Sequence, residues 1–225
     1  MDILSVVLRW LHVAAGILWI GHLYFFNFVN AQLAALLDGD TKKKVVPELM
    51  PRALYWFRWG AAYTWVTGIL LLMLVFYHGG LMFEMGIDWT TGAVVMLLVT
   101  FGAFALYDVL AKGNLAKNAK AFAAVGFVLI GAITFLMIEW GQYSYRAYII
   151  HIGSMMGTIM AANVWMRIWP SQKKIIAAVK GGTPPDAALV ALAGLRSRHN
   201  TYLSVPLLYT MINAHTVVPG SDSVI

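Results

Sequence analysis

The sequence predicts an all-α protein, a polytopic bundle of about six membrane-spanning helices, on three observations. Of its 225 residues, 60% are hydrophobic and 12% charged, and the mean hydropathy is +0.73; soluble domains average about 45–50% apolar and about 25% charged. Apolar windows such as those from Ala61 to Tyr77, Ala93 to Leu110 and Ile149 to Trp165, with their flanks, exceed the ~20 residues that cross a hydrocarbon core. The basic residues, finally, collect in alternate connections between those windows.

Spans are expected at 3–28, 53–78, 91–111, 119–139, 146–168 and 200–218, within a single integral membrane domain over 1–225. The first carries Asp2 and Arg9 and lacks the basic head and small-residue cleavage site of a signal peptide, so it is expected to be retained. Its apolar pattern continues to about Leu37. Some 35 helical residues rise about 52 Å, more than the ~30 Å core, so the stretch from Asn30 to Leu37 should project into water or bend along the surface. Gly39, Pro47 and Pro51 are expected to break the helix before the second span. In the connection from Pro170 to His199, Asp186 is placed to cap a short amphipathic surface helix over about 186–196.

Orientation follows from charge. Lys42, Lys43 and Lys44 follow the first span, Lys112, Lys117 and Lys120 the third, and Lys173, Lys174, Lys180, Arg196 and Arg198 the fifth. The connection around Glu84 and Asp88 has no lysine or arginine, and the one around Gln142 has only Arg146. Positive-inside bias puts the basic connections in the cytoplasm and both termini outside. The same bias accounts for the net charge of +6 and pI near 9.6, which therefore do not point to nucleic acid. Trp10, Trp56, Trp59, Trp89, Trp140 and Trp169 fall near span ends, as an interfacial belt requires, whereas Trp19 and Trp65 lie deeper and should pack against neighbours or a cofactor.

The chemistry-bearing residues are histidines. The chain has six histidines and no cysteine, which excludes disulfides, iron–sulfur ligation and covalent haem attachment. With the orientation above, His12 and His151 lie at similar depth in the outer half of the membrane. Arg9 precedes the first by three residues and Arg146 the second by five. Intramembrane histidines are costly and mark chemistry, and outer-side arginines suit the propionates of a haem. His12 and His151 are therefore the expected metal ligands of one b-type haem, with Arg9, Arg146 and Gly16 as further cofactor-binding residues. A helix–helix hydrogen bond is the competing reading of each histidine, and plain packing the competing reading of Gly153, Gly157 and Ala161. His22 and His199 could bracket a second haem; His78 is interfacial. Tyr63, Thr64 and Thr67 line a cavity or bond within their own helix. A substrate anion would be met by Arg9, Arg146, Asn213 and His215 on the outer side, or by Arg196, Arg198, His199 and Asn200 on the inner. No hydrolase, kinase or phosphate-loop motif is present. Transport would call for a broken midplane helix and an inverted repeat; Pro206 is the one candidate break, and no repeat is visible.

RWLHVAAGILWIG at 9–21, WFRWGAAYTWVTG at 56–68, HIGSMMGTIMAANV at 151–164 and RSRHNTYLSVPLLYTMINAH at 196–215 resemble, in order, the membrane domain of the bacterial membrane-bound urate oxidase (urate hydroxylase) family. The resemblance implies a helical membrane domain that, in full-length members, is joined to a C-terminal cytochrome c domain that takes electrons. It also implies that His12, His151, His199 and His215 are the motif histidines, while His22 and His78 fall outside the motifs. This chain reads as a short form without the cytochrome c domain, served by an external cytochrome c or a respiratory complex, with homo-oligomerisation open. The expected function is electron transfer from urate or quinol. The alternative is a non-catalytic structural or assembly subunit of a respiratory membrane complex.

Overall fold

The protein, seen in a computed structural model that describes residues 2–216, forms among those residues six long helices and no strand. They are α1 (Ile3–Leu36), α2 (Gly39–Tyr77), α3 (Thr91–Lys112), α4 (Ala119–Glu139), α5 (Tyr145–Lys180) and α6 (Ala187–Asn213). The first five are long and apolar enough to cross a membrane.

Three expectations about boundaries are corrected. The helix does break before the second span, at Leu37 and Asp38 beside Gly39, but Pro47 and Pro51 do not break it, since α2 begins at Gly39 and runs through both prolines. Asp38 starts it: its Oδ1 accepts from the amides of Asp40 and Thr41, both at 2.9 Å, and its Oδ2 from the Thr41 hydroxyl at 2.7 Å. Those donors hold the Asp38 carboxyl below its ordinary range, the Thr41 hydroxyl contributing most. Pro47 and Pro51 each forfeit one backbone bond on a stretch that is polar and largely exposed, where water can serve the freed carbonyls.

The helix of the fifth span also runs beyond 168. α5 continues to Lys180 past Pro170, and the carbonyl of Met166, one turn earlier, accepts from Arg167 Nη1 at 3.0 Å. Third, the surface helix over 186–196 and the span at 200–218 are one helix. Asp186 caps it as expected, accepting from the Ala188 amide at 2.8 Å. No glycine or proline interrupts residues 195–205, so the helix propagates through Arg196, Arg198, His199 and Asn200. Those four residues keep α6 out of the apolar set of five; residues 217 and 218 lie outside the described residues.

Three short π-helical segments, Phe25–Asn30, Leu72–Tyr77 and Val164–Ile168, interrupt α1, α2 and α5. Each wider turn rotates the residues after it about the axis, and such bulges recur at functional sites.

The chain falls into two compact units, one formed by residues up to Leu71 with Met160–Ser204, the other by Leu72–Ile159 with Val205 onward. In the first, α1 lies antiparallel on α2 along a small-residue stripe. A Cβ on Gly60 would stand 3.0 Å from the Trp19 amide nitrogen, one on Gly16 3.9 Å from Thr64 Cγ2, and one on Gly68 3.0 Å from His12 Cε1. Gly60, Thr64 and Gly68 repeat every fourth residue, the spacing that lets helices approach closely in membranes. Asn27 Nδ2 donates to Ser197 Oγ at 2.8 Å and Tyr24 bonds Ser204 at 2.9 Å, tying α1 to α6. The Asn163 amide donates to Asn200 Oδ1 at 2.9 Å, and Asn200 Nδ2 to the Met160 carbonyl at 2.9 Å, a fully buried lock between α5 and α6.

In the second unit α5 and the end of α6 run antiparallel. A Cβ on Gly153 would come within 2.5 Å of Thr210 Oγ1 and 2.9 Å of Met211 Cε, so the helices touch there with no room for a side chain. Gly157, next along the series, faces Leu207 at an ordinary 3.8 Å. The packing reading of this glycine series is the one seen. Tyr143, beyond a turn in which Gln142 takes a left-handed φ of 53°, donates to the Ala93 carbonyl at 2.9 Å and so fixes the start of α5 on α3. Of the tryptophans, Trp19 is buried as expected and Trp65 is 40% exposed.

Candidate functional site

Two imidazoles, one in each unit, carry the most specific geometry. His151 is fully buried on α5. Its Nδ1 lies 2.7 Å from the carbonyl of Ala147 one turn earlier, and a carbonyl can only accept, so Nδ1 carries the proton. With the neutral ring, Nε2 then holds a lone pair, and it accepts from the Tyr77 hydroxyl at 2.9 Å. The ring sits among aromatics, with centroids 5.0 Å from Tyr143, 5.7 Å from Tyr77 and 6.3 Å edge-on from Phe76. Tyr77 and Phe76 come from the π-helical end of α2.

His12 is half-buried on α1. Thr67 Oγ1 lies 2.6 Å from the Tyr63 carbonyl, so its proton is spent there and its oxygen accepts from His12 Nδ1–H at 3.1 Å. The ring rests on Gly68. Nε2 again keeps the lone pair. His22 and His215 repeat the pattern with the carbonyls one turn back, Nδ1 to Leu18 at 2.7 Å and to Met211 at 2.9 Å.

This arrangement is the donor chemistry of an axial imidazole. An anchored Nδ1–H fixes the tautomer and ring plane and leaves Nε2 for iron. Each histidine taken by itself therefore fits a haem ligand, with one difference between them: at His151 the lone pair is engaged by Tyr77. Among the described residues no group of three or more His, Asp or Glu converges as a metal site. That bears on zinc-like sites rather than haem, which asks for at most two protein ligands.

The expected auxiliary residues divide. Arg9 is exposed and its Nε donates to Ser5 Oγ at 3.3 Å, one turn away from the His12 ring. Gly16 packs on Thr64 rather than beside the imidazole, and the small residue at His12 is Gly68. Arg146 Nε donates to the Ala214 carbonyl at 2.9 Å, and Asn213 Nδ2 to the hydroxyls of Tyr209 at 2.9 Å and Tyr145 at 3.3 Å. These bonds fasten the start of α5 to the end of α6. His215 is exposed. Of the inner set, Arg196 and Asn200 are fully buried, His199 half-buried and Arg198 exposed.

Sequence reasoning passed over Tyr77, Tyr143 and Gly68, and saw Thr67 without its histidine. The four-residue spacing of Gly60, Thr64 and Gly68 is a signal that could have located the His12 seat. Nothing in the local pattern marks the π turn that swings Tyr77 onto His151.

No curated protein and no solved structure matches the chain. A family model described as urate oxidase N-terminal matches residues 38–222. It takes in His151, Arg146, His199, Asn213 and His215 and leaves Arg9, His12 and Gly16 before its start. With most of its length inside that match, the chain belongs to the urate oxidase N-terminal family.

Proposed function

We propose that the protein is an integral membrane redox carrier that binds b-type haem, which His151 and His12, each argued within its own unit, would hold through Nε2. The observation that carries this reading is the shared imidazole geometry: Nδ1–H held by a fixed acceptor, Nε2 presenting its lone pair. Haem supplies one-electron transfer, and two imidazole ligands suit electron transfer more than oxygen activation. The chain's own contribution is orientation. The Ala147 carbonyl and Thr67 hydroxyl fix the two ring planes, and the aromatic wall of Tyr77, Tyr143 and Phe76 excludes water from His151. Ligation at His151 uses the lone pair that the Tyr77 hydroxyl otherwise occupies. The Nη groups of Arg9 and Arg146 are the donors on offer to propionates.

Family membership supports urate as reductant, with quinol as the other candidate and an external cytochrome c or a respiratory complex as acceptor. The distribution of lysine and arginine supports a bacterial inner membrane location with the basic connections in the cytoplasm and both termini periplasmic. α6 would then carry the sixth span from residue 200 onward.

A second reading is favoured by one observation: both nitrogens of His151 are satisfied within the protein. A histidine so bonded can serve purely as a helix–helix tie, which would make the chain a non-catalytic subunit of a respiratory membrane complex. A reduced-minus-oxidised visible spectrum of the detergent-purified protein, with a pyridine haemochrome assay, separates the two. One b-type haem per chain, reducible by urate or quinol, is the expected result. Protein made with ample haem supply yet free of haem would favour the structural subunit.

A further inference from the structure

We propose that Trp169 and the two cations set on its ring, Arg58 and Lys173, form a site for the phosphate of an anionic phospholipid headgroup. The inference rests on the reading of the chain as membrane-spanning and is independent of haem.

Helix length locates the site. α2 has 39 residues and α5 has 36, about 58 and 54 Å at 1.5 Å per residue, against a core of ~30 Å. A tilt of 40° would absorb only about 10 Å of that excess. In α2 the run from Gly60 to Tyr77 holds no charged residue and is itself about 27 Å long. The boundary of the hydrocarbon therefore falls just before Gly60, where Tyr55, Trp56, Trp59 and Trp165 gather with large exposed faces. The Trp59 and Trp165 rings meet edge to face at 5.6 Å, and Trp165 Nε1 donates to the Arg58 carbonyl at 3.1 Å. This is the headgroup level, where aromatic rings anchor.

At that level the Arg58 guanidinium carbon lies 3.9 Å from the centroid of Trp169, and Lys173 Nζ lies 5.5 Å from the same centroid. Tyr55 closes over the guanidinium at 5.6 Å. One indole thus gathers two like charges. A cation–π contact offsets part of that repulsion but supplies no hydrogen-bond acceptor, and the buried Nε of Arg58 has no hydrogen-bond partner among the described residues. Neither residues 53–77 nor residues 145–180 contain an aspartate or glutamate. Among the described residues, no ion pair involves Arg58 or Lys173. Further out, an open groove of about 520 Å³ along Pro47, Glu48, Pro51, Arg52, Tyr55 and Trp56 is no rival, because Arg52 is already paired with Glu48 at 2.7 Å. Two cations without a carboxylate, at headgroup depth beside an aromatic platform, are complementary to a phosphodiester.

The test is native mass spectrometry of the detergent-purified full chain titrated with phosphatidylglycerol or phosphatidylcholine. Its first step is to show that the protein stays in the membrane fraction through an alkaline carbonate wash. Release by carbonate would overturn the spanning reading and the site with it. Phosphatidylglycerol adducts should outlast phosphatidylcholine adducts as collision energy rises, and K173Q should weaken phosphatidylglycerol binding about fivefold. K44Q, remote from the indole, should leave binding unchanged. R58Q should abolish the preference; because it can also disturb the α2–α5 packing, the exposed Lys173 is the deciding position. Equal binding of the two lipids, or no change in K173Q, would overturn the proposal. Displacement of the lipid by millimolar inorganic phosphate would overturn the lipid as occupant in favour of a soluble phosphate.

Discussion

The surroundings of His12 and of His151 solve the same problem at different cost. Both rings give Nδ1–H to a fixed acceptor, a threonine hydroxyl in one unit and a backbone carbonyl in the other. His12 is half-buried beside a glycine stripe and its Nε2 is not engaged. His151 is wholly buried among aromatics, with Nε2 bonded to Tyr77. A buried imidazole that keeps both bonds is part of the packing as well as a ligand, so its loss should be felt twice. A half-buried one should be separable from the fold. The contrast turns the competing readings, haem ligand and helix tie, into measurable quantities.

The largest effect is expected from alanine at each position. His151→Ala removes a buried ring and leaves the Tyr77 hydroxyl unpaired in apolar surroundings, a loss of about 3–4 kcal/mol from cavity and desolvation together. His12→Ala should cost about 1 kcal/mol. Both should lose haem. Pyridine haemochrome content and thermal unfolding in one detergent read the two axes. If either variant keeps full haem, its histidine is no ligand, and if the stability losses are equal the contrast in burial has no energetic meaning.

Glycine substitutions sharpen the comparison through the backbone. Gly153→Val must push Thr210 and Met211 away from α5 and should destabilise by about 2–3 kcal/mol. Gly68→Ala asks only that the His12 ring give by a few tenths of an ångström, about 1 kcal/mol or less. Its clearer readout is the haem spectrum, since the displaced ring is the expected ligand. Gly68→Ala with an unaltered spectrum and unaltered haem content would detach His12 from the cofactor.

The two regions also differ in how far the sequence disclosed them. Spans, basic connections, the Asp186 cap and the glycine series on α5 follow from composition and period, which act locally along the chain. The prolines in α2 misled because a proline's cost depends on whether its freed carbonyl meets water. Residues 39–52 lie on a polar, largely exposed stretch, so that cost is small. The α6 boundary is not legible because polarity does not end a helix: arginine and serine continue one readily, and the buried Asn163–Asn200 pair supports it from another element. Within the site, the histidines were legible as costly intramembrane groups, but their partners were not. Tyr77 reaches His151 through a π turn with no sequence signature. Arg146 and Asn213, expected to meet an anion on the outer side, are engaged in fastening α5 to α6.

Tyr77→Phe tests the tighter of the two surroundings alone. It removes the hydroxyl and leaves the aromatic wall, so unfolding stability should fall by about 1 kcal/mol. If Nε2 serves iron, haem content should be retained or rise, because a competitor for the lone pair is gone. If the hydrogen bond is only a tie, stability falls and nothing else changes. A loss of haem in Tyr77→Phe would mean that the hydroxyl supports the cofactor, the opposite of the competition argued above.

The smallest effect belongs to the looser side. Thr67→Val keeps the shape of the side chain but takes away the hydroxyl that accepts from His12 Nδ1–H, leaving the Thr64 backbone as the ring's remaining partner on α2. Partial exposure lets other acceptors or water compensate, and the expected cost is about 0.5 kcal/mol. The orienting bond also makes the imidazole more basic toward iron, so the haem midpoint potential should rise in Thr67→Val and return in Thr67→Ser. A stability change without a shift in potential would leave Thr67 a packing residue and His12 an ordinary helix-face histidine. A shift reversed by serine would assign the hydroxyl to the ligand, because serine restores the acceptor without restoring the methyl group.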